Sequence, residues 1–135
     1  NAPILIRNGA LGNSADLRVS PQHRVLITGW RAELFAGCDE VLASAHHLVD
    51  DGRILRAPCD RVTYVHLLFD RHEIIRSDGA WSESFQPGNR TLNGMDAAQR
   101  HEVLELFPEL AREGVAYPAA RITLKYHEAR VLLGA

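Results

Sequence analysis

A hydroxyl and an imidazole stand three residues apart in Val19-Ser20-Pro21-Gln22-His23-Arg24-Val25-Leu26-Ile27, at the mouth of an apolar strand. An amide nitrogen departs readily only when it is protonated as the C–N bond breaks, and a histidine with a pKa near neutrality can supply that proton. Ser20 is spaced to orient the His23 ring by a hydrogen bond, so the pair points to acyl transfer on a peptide bond. The competing reading is a turn serine ahead of Pro21 beside a solvated or core histidine. Two more histidines lie in Val62-Thr63-Tyr64-Val65-His66-Leu67-Leu68-Phe69-Asp70-Arg71-His72-Glu73-Ile74-Ile75. Strand alternation sets Tyr64, His66 and Leu68 on one face and Val65, Leu67 and Phe69 on the other. A histidine among such neighbours is commonly a satisfied core residue. Asp70 and Arg71 read either as an ion pair holding a bend or as a solvated turn.

Metal chemistry is weighed on Cys38, Cys59, His46-His47 and the dipeptides His72-Glu73, His101-Glu102 and His127-Glu128. None reproduces His-Glu-x-x-His or a paired-cysteine pattern, so neither a metal nor a cofactor is expected. The two cysteines read first as buried or half-buried thiols, with pairing open and the redox compartment undecided. Asn8-Gly9-Ala10-Leu11-Gly12 lacks the Lys-Ser/Thr of a phosphate loop and reads as a turn. Trp30 and Trp81 read as covers for the core edge, with cation–π contact or ligand stacking as the alternative.

The elements that must position these groups are mostly short β-branched runs. Strands are expected at Ile4 to Arg7, Leu17 to Val19, Arg24 to Thr28, Glu33 to Phe35, Asp39 to Ala43, Arg53 to Arg56, Val62 to Phe69 and Glu73 to Ser77. Turns fall at Asn8-Gly9, Gly12-Asn13, Thr28-Gly29, Ala36-Gly37, Asp51-Gly52 and Asp78-Gly79, the Asp-Gly pairs being the stronger hairpin cues. His46 to Val49 reads as a single helical turn or loop. After Pro87-Gly88 the pattern changes. Asp96-Ala97-Ala98-Gln99 has capping-box spacing and leads into Val103, Leu104, Leu106 and Phe107 at helical period, predicting a helix of about three turns ending near Phe107. Pro108 then opens a short second helix that stops at Gly114. A last amphipathic stretch, Thr123 to Leu133, is expected to pack back onto the sheet or onto a partner. The organisation is therefore a mainly β domain over residues 3–88 with a helical appendage over residues 89–135.

With 135 residues, 46% hydrophobic and 24% charged, the chain has the composition of an ordinary globular domain with one modest core. A formal charge of -2 offers no basic face for a nucleic-acid backbone. No apolar run approaches the roughly 20 residues of a membrane span. The compartment stays open.

The stretches "RVSPQHRVL" and "YVHLLFDRHEII", with Ala45-His46-His47-Leu48-Val49-Asp50-Asp51-Gly52 between them and Ser82-Glu83-Ser84-Phe85 after them, resemble the later part of a Hint domain, the Hedgehog and intein self-processing fold, in a bacterial branch. The resemblance covers about residues 3 to 88. It implies an incomplete, horseshoe-like β fold whose substrate is the protein's own upstream polypeptide, cleaved through an acyl shift. It makes His23 the general acid and Ser20 its orienting partner. His72, just ahead of the final strand, and His66, about where many members carry an aspartate, would line the same cleft and steer the nucleophile. The family's opening Cys or Ser would lie upstream of Pro3, so the chain is expected to be a fragment, inactive alone; Cys38 and Cys59 are internal and cannot replace it. Splicing members end on His-Asn, and Glu83-Ser84 stands there instead, which implies cleavage without splicing. Two alternatives are a non-catalytic β-rich interaction module and, less favoured, a metal-dependent hydrolase.

Overall fold

A computed structural model describes residues 2–86, 95–111 and 119–133. The chain divides into two compact units, the first formed by Asn1–Val65, Ile74–Glu83 and Arg121–Ala135, the second by His66–Glu73 and Ser84–Ala120.

The first unit is built on two antiparallel sheets. In the three-stranded sheet β1 (Ile4–Ile6) lies between β2 (Leu17–Val19) and β5 (Ile54–Arg56), Ile4 pairing with Val19 on one side and Arg56 on the other. The four-stranded sheet runs β4 (Glu40–Ser44), β3 (Arg24–Thr28), β7 (Ala80–Glu83), β6 (Ile74–Ser77). Period two decides which side chains go inside: Ile4 and Ile6 are fully buried while Leu5 between them is not. They join Val25, Val41, Ala43 and Leu48 in one core. The mainly β class is borne out.

Asp78 and Gly79 both adopt positive φ, 49° and 86°, the type I′ geometry whose twist matches the strands it joins. It closes β6 onto β7 with Ser77 opposite Ala80. The strand after this turn was not expected, because Trp81-Ser82-Glu83 carries too little apolar alternation to be read as one.

Two expected strands are absent. Glu33 to Phe35 lies inside helix α1 (Trp30–Ala36). Gly29 starts it at φ 118° and Gly37 ends it in the left-handed region at φ 71°, its N–H donating to the Glu33 carbonyl. The two glycines were legible as punctuation, but the seven residues between them suffice for two helical turns and include the good helix formers Ala, Glu and Leu. Val62 to Phe69 forms no strand, and Val65 is 82% exposed. Its β-branched residues favour extension, yet strand structure needs a paired neighbour that no described strand supplies. Trp30 and Trp81 are also more exposed than expected; the guanidinium of Arg31 stands 5.3 Å from the Trp30 ring and that of Arg76 5.5 Å from the Trp81 ring.

The last stretch packs back, as one of its two expected outcomes. Leu42 N–H donates to the Ile122 carbonyl and Leu124 N–H to the Leu42 carbonyl, a parallel bridge at the edge of β4. Helix α3 (Tyr126–Leu132) follows, burying Ala129 and Leu132 in the core of the first unit. In the second unit α2 (Ala97–Leu106) starts where its capping residue predicts, Asp96 accepting from the Gln99 N–H at 2.8 Å. A 3-10 turn, Pro108–Ala111, buries Leu110 among Leu68, Val103 and Phe107. The expected stop at Gly114 lies outside the described residues.

Candidate functional site

β2 ends at Val19 in one sheet and β3 begins at Arg24 in the other, so Ser20 to His23 carries the chain between sheets. Pro21 presets φ for the second position of a tight turn, and His23 N–H donates to the Ser20 carbonyl at 3.0 Å. The structure thus joins Ser20 and His23, through a main-chain turn. On its other side the His23 carbonyl accepts from Ala45 N–H at 2.8 Å, one step beyond the Arg24–Ser44 pair of the β3–β4 ladder. The backbone of half-buried His23 is therefore held at both its N–H and its C=O.

A 3-10 turn at Ala45–Leu48, where a helical turn was expected, brings in a residue that sequence reasoning had weighed only as a metal ligand. The Pro21 carbonyl accepts from His46 N–H at 3.0 Å and lies 2.6 Å from His46 Nδ1. A carbonyl only accepts, so Nδ1 carries hydrogen and Nε2 keeps the lone pair of the neutral ring. The rings of His46 and His47 are 4.0 Å apart, and His47 meets Tyr126 edge-on at 5.3 Å. His47 Nδ1 is buried with no hydrogen-bond partner among the described residues. Burial, and then the electrostatic influence of His46 alongside, hold His47 below the ordinary imidazole pKa.

Glu83 is the other unforeseen neighbour. Its Oε1 accepts from Arg24 N–H at 3.0 Å and its Oε2 lies 3.7 Å from Arg24 Nε, while Arg24 Nη1 donates to Thr123 Oγ1 at 3.1 Å. The residue following His23 is thereby tied to β7 and to the C-terminal segment. Sequence separations of 25 for Pro21–His46 and 59 for Arg24–Glu83 left no local signal for either contact.

His66 and His72 belong to the second unit. His72 is 4% exposed, and its Nδ1 accepts from Ala120 N–H at 2.9 Å. That donor leaves the neutral tautomer with hydrogen on Nε2, so the ring presents an N–H there. His66 is exposed, its ring 5.3 Å from that of Phe85. Ser84 is fully buried: its N–H donates to the Glu73 carbonyl and its Oγ accepts from Glu73 N–H, both at 2.8 Å. Arg71 pairs with Glu73 at 2.7 Å, in place of the Asp70–Arg71 pair considered from sequence.

Cys38 and Cys59 are free thiols, the first half-buried and the second, against expectation, exposed. Among the described residues no group of three His, Cys, Asp or Glu side chains is placed to hold a metal ion. No helix among them is long and apolar enough to cross a membrane. An apolar groove lined by Phe35, Leu124, His127 and Val131 contains none of the four predicted site residues. Against known families, the Hint domain model matches residues 1–89, well over half of the chain. No curated protein and no solved structure matches it.

Proposed function

The chain belongs to the Hint domain family, and from that premise we propose that it is the later part of a Hedgehog/intein-type domain that cleaves its own backbone through an intramolecular acyl shift. A Cys thiol or Ser hydroxyl gives its proton to solvent as its Sγ or Oγ attacks the carbonyl carbon of the preceding residue, the C–S or C–O bond forms, and the C–N bond breaks as the nitrogen takes a proton from His23, which solvent then reprotonates. The resulting (thio)ester is then opened by water or another nucleophile. The observation carrying the reading is the Ser20–His23 turn: within the family match, its histidine is anchored by main-chain hydrogen bonds on both sides. Such anchoring suits a proton donor that must meet a departing nitrogen in one orientation.

Ser20 is the orienting residue in this reading, and His72 with His66 steers the nucleophile or stabilises charge on it. The Nε2–H tautomer that Ala120 imposes on His72 suits a hydrogen-bond donor. Ser84, whose side chain accepts from Glu73 N–H, has no amide to cyclise, which favours cleavage over splicing. The reading places the attacking Cys or Ser ahead of Asn1 in a longer parent, and predicts that the 135 residues alone do not cleave themselves.

One observation favours a non-catalytic interaction module instead: helix α1 exposes Trp30, Leu34 and Phe35 at 67%, 65% and 54%. Incubating the parent with a thiol or an amine, with mass spectrometry of the products, separates the two. Scission before the opening Cys or Ser supports self-processing, and a parent that stays intact favours the module.

A further inference from the structure

We propose that His46 is a positioning residue for His23, its Nδ1–H locking the turn that aims the general acid; this rests on the self-processing reading above. The Pro21 carbonyl belongs to the central peptide of the Ser20–His23 turn, the plane whose flip interconverts turn types I and II. Among the described residues the non-glycine positions with positive φ are Asp51 and Asp78, so Gln22 keeps the negative φ of the type I sense. Two donors from the same residue hold that plane, His46 N–H at 3.0 Å and the ring at 2.6 Å.

The side chain is not needed to satisfy the carbonyl, because the backbone N–H of residue 46 already does so and any non-proline residue would supply it. The ring fills the second lone pair, leaving neither available if the plane rotates. Neutral and protonated imidazole both donate from Nδ1, so the lock holds in either protonation state. Ala45 N–H on the His23 carbonyl secures the far end of the same segment, so one 3-10 turn fixes both the peptide preceding Gln22 and the exit from His23. Together these contacts leave His23 little backbone freedom.

The test uses the 135-residue chain first, since it requires no cleavage. Long-range proton–nitrogen correlation spectra report the tautomer and titration of the His23 ring. In His46→Ala the His23 tautomer ratio and titration midpoint should move from wild-type values, while amide exchange along β3 and β4 stays unchanged. In His46→Asn, whose side-chain NH2 lies near the Nδ1 position, they should return. If the alanine chain fails to fold, Asn against Leu makes the same comparison at similar side-chain size. In the parent, His46→Ala should slow cleavage on the order of 10- to 100-fold, and Asn should restore most of the rate. Wild-type His23 spectra in the alanine or leucine chain, or an asparagine chain that behaves like them, would overturn the proposal. A wild-type parent that does not cleave overturns the self-processing reading, whereas the spectra of the isolated chain still decide the positioning role.

Discussion

Histidine 47 and Asp50 lie close together in sequence and are shifted in the same direction by different causes. Desolvation leads for His47, with the charge of His46 second, and lowers its pKa from 6.5. For Asp50 the leading cause is the hydrogen bond from Ile54 N–H to the carboxylate, which also accepts from Gly52 and Arg53, and its pKa falls from 3.8. Both folded values are depressed, so the unfolded chain binds the proton more readily and each contribution is present above the unfolded pKa and lost as pH falls through the folded one. The thermal unfolding midpoint should therefore fall as pH drops below 6.5 and again below 3.8, and His47→Gln should flatten part of the first decline. Asn13 makes a prediction without titration. It is 2% exposed, its Nδ2 donates to the carbonyls of Ile6, Arg7 and Ala15, and its Oδ1 accepts from Leu11 N–H. Asn13→Ala strands those groups and should cost about 3 kcal/mol, read as a lower urea midpoint.

Among the elements, the β6–β7 hairpin is the most sharply determined. Gly79 sits at φ 86°, and a Cβ there would stand 2.9 Å from the Gly12 carbonyl oxygen. Gly79→Ala combines left-handed strain of about 1–2 kcal/mol with a backbone clash, so a loss of at least about 2 kcal/mol is expected in chemical denaturation. Asp78-Gly79 was readable beforehand because its turn chemistry is local, and Asp96 at the start of α2 was readable for the same reason. The misread elements failed where tertiary context decides. The apolar run Glu33 to Phe35 went helical between two glycines, and Val62 to Phe69 found no paired strand among the described residues. The site divides along the same line. Ser20 and His23 were visible as a spacing, although the main-chain hydrogen bond that closes the turn between them was not. His46 and Glu83 reach the turn only through the folding of β4 and β7, which no local pattern encodes.

At the scale of the whole molecule, the sequence does not end its contribution to the first unit with the sheets: Arg121 to Ala135 returns to it, placing Leu124, Ala129 and Leu132 in the core. Arg121 adds a 3.0 Å ion pair to Glu40, and Arg130 Nη1 donates to the Val49 carbonyl at 2.8 Å. Removing two buried leucines alone forfeits about 3–6 kcal/mol, comparable with the roughly 5–15 kcal/mol that holds a domain folded. Deleting residues 121–135 should therefore abolish cooperative unfolding by circular dichroism, although the stretch lies outside the family match at residues 1–89. The account's central claim is that His23 protonates the nitrogen of a scissile peptide bond. It is tested most directly by mass spectrometry of the longer parent, wild type against His23→Ala, over time at neutral pH. The account predicts fragments cut before the opening Cys or Ser in the wild type, formed at least about 100-fold more slowly in the variant; equal cleavage in both would contradict it.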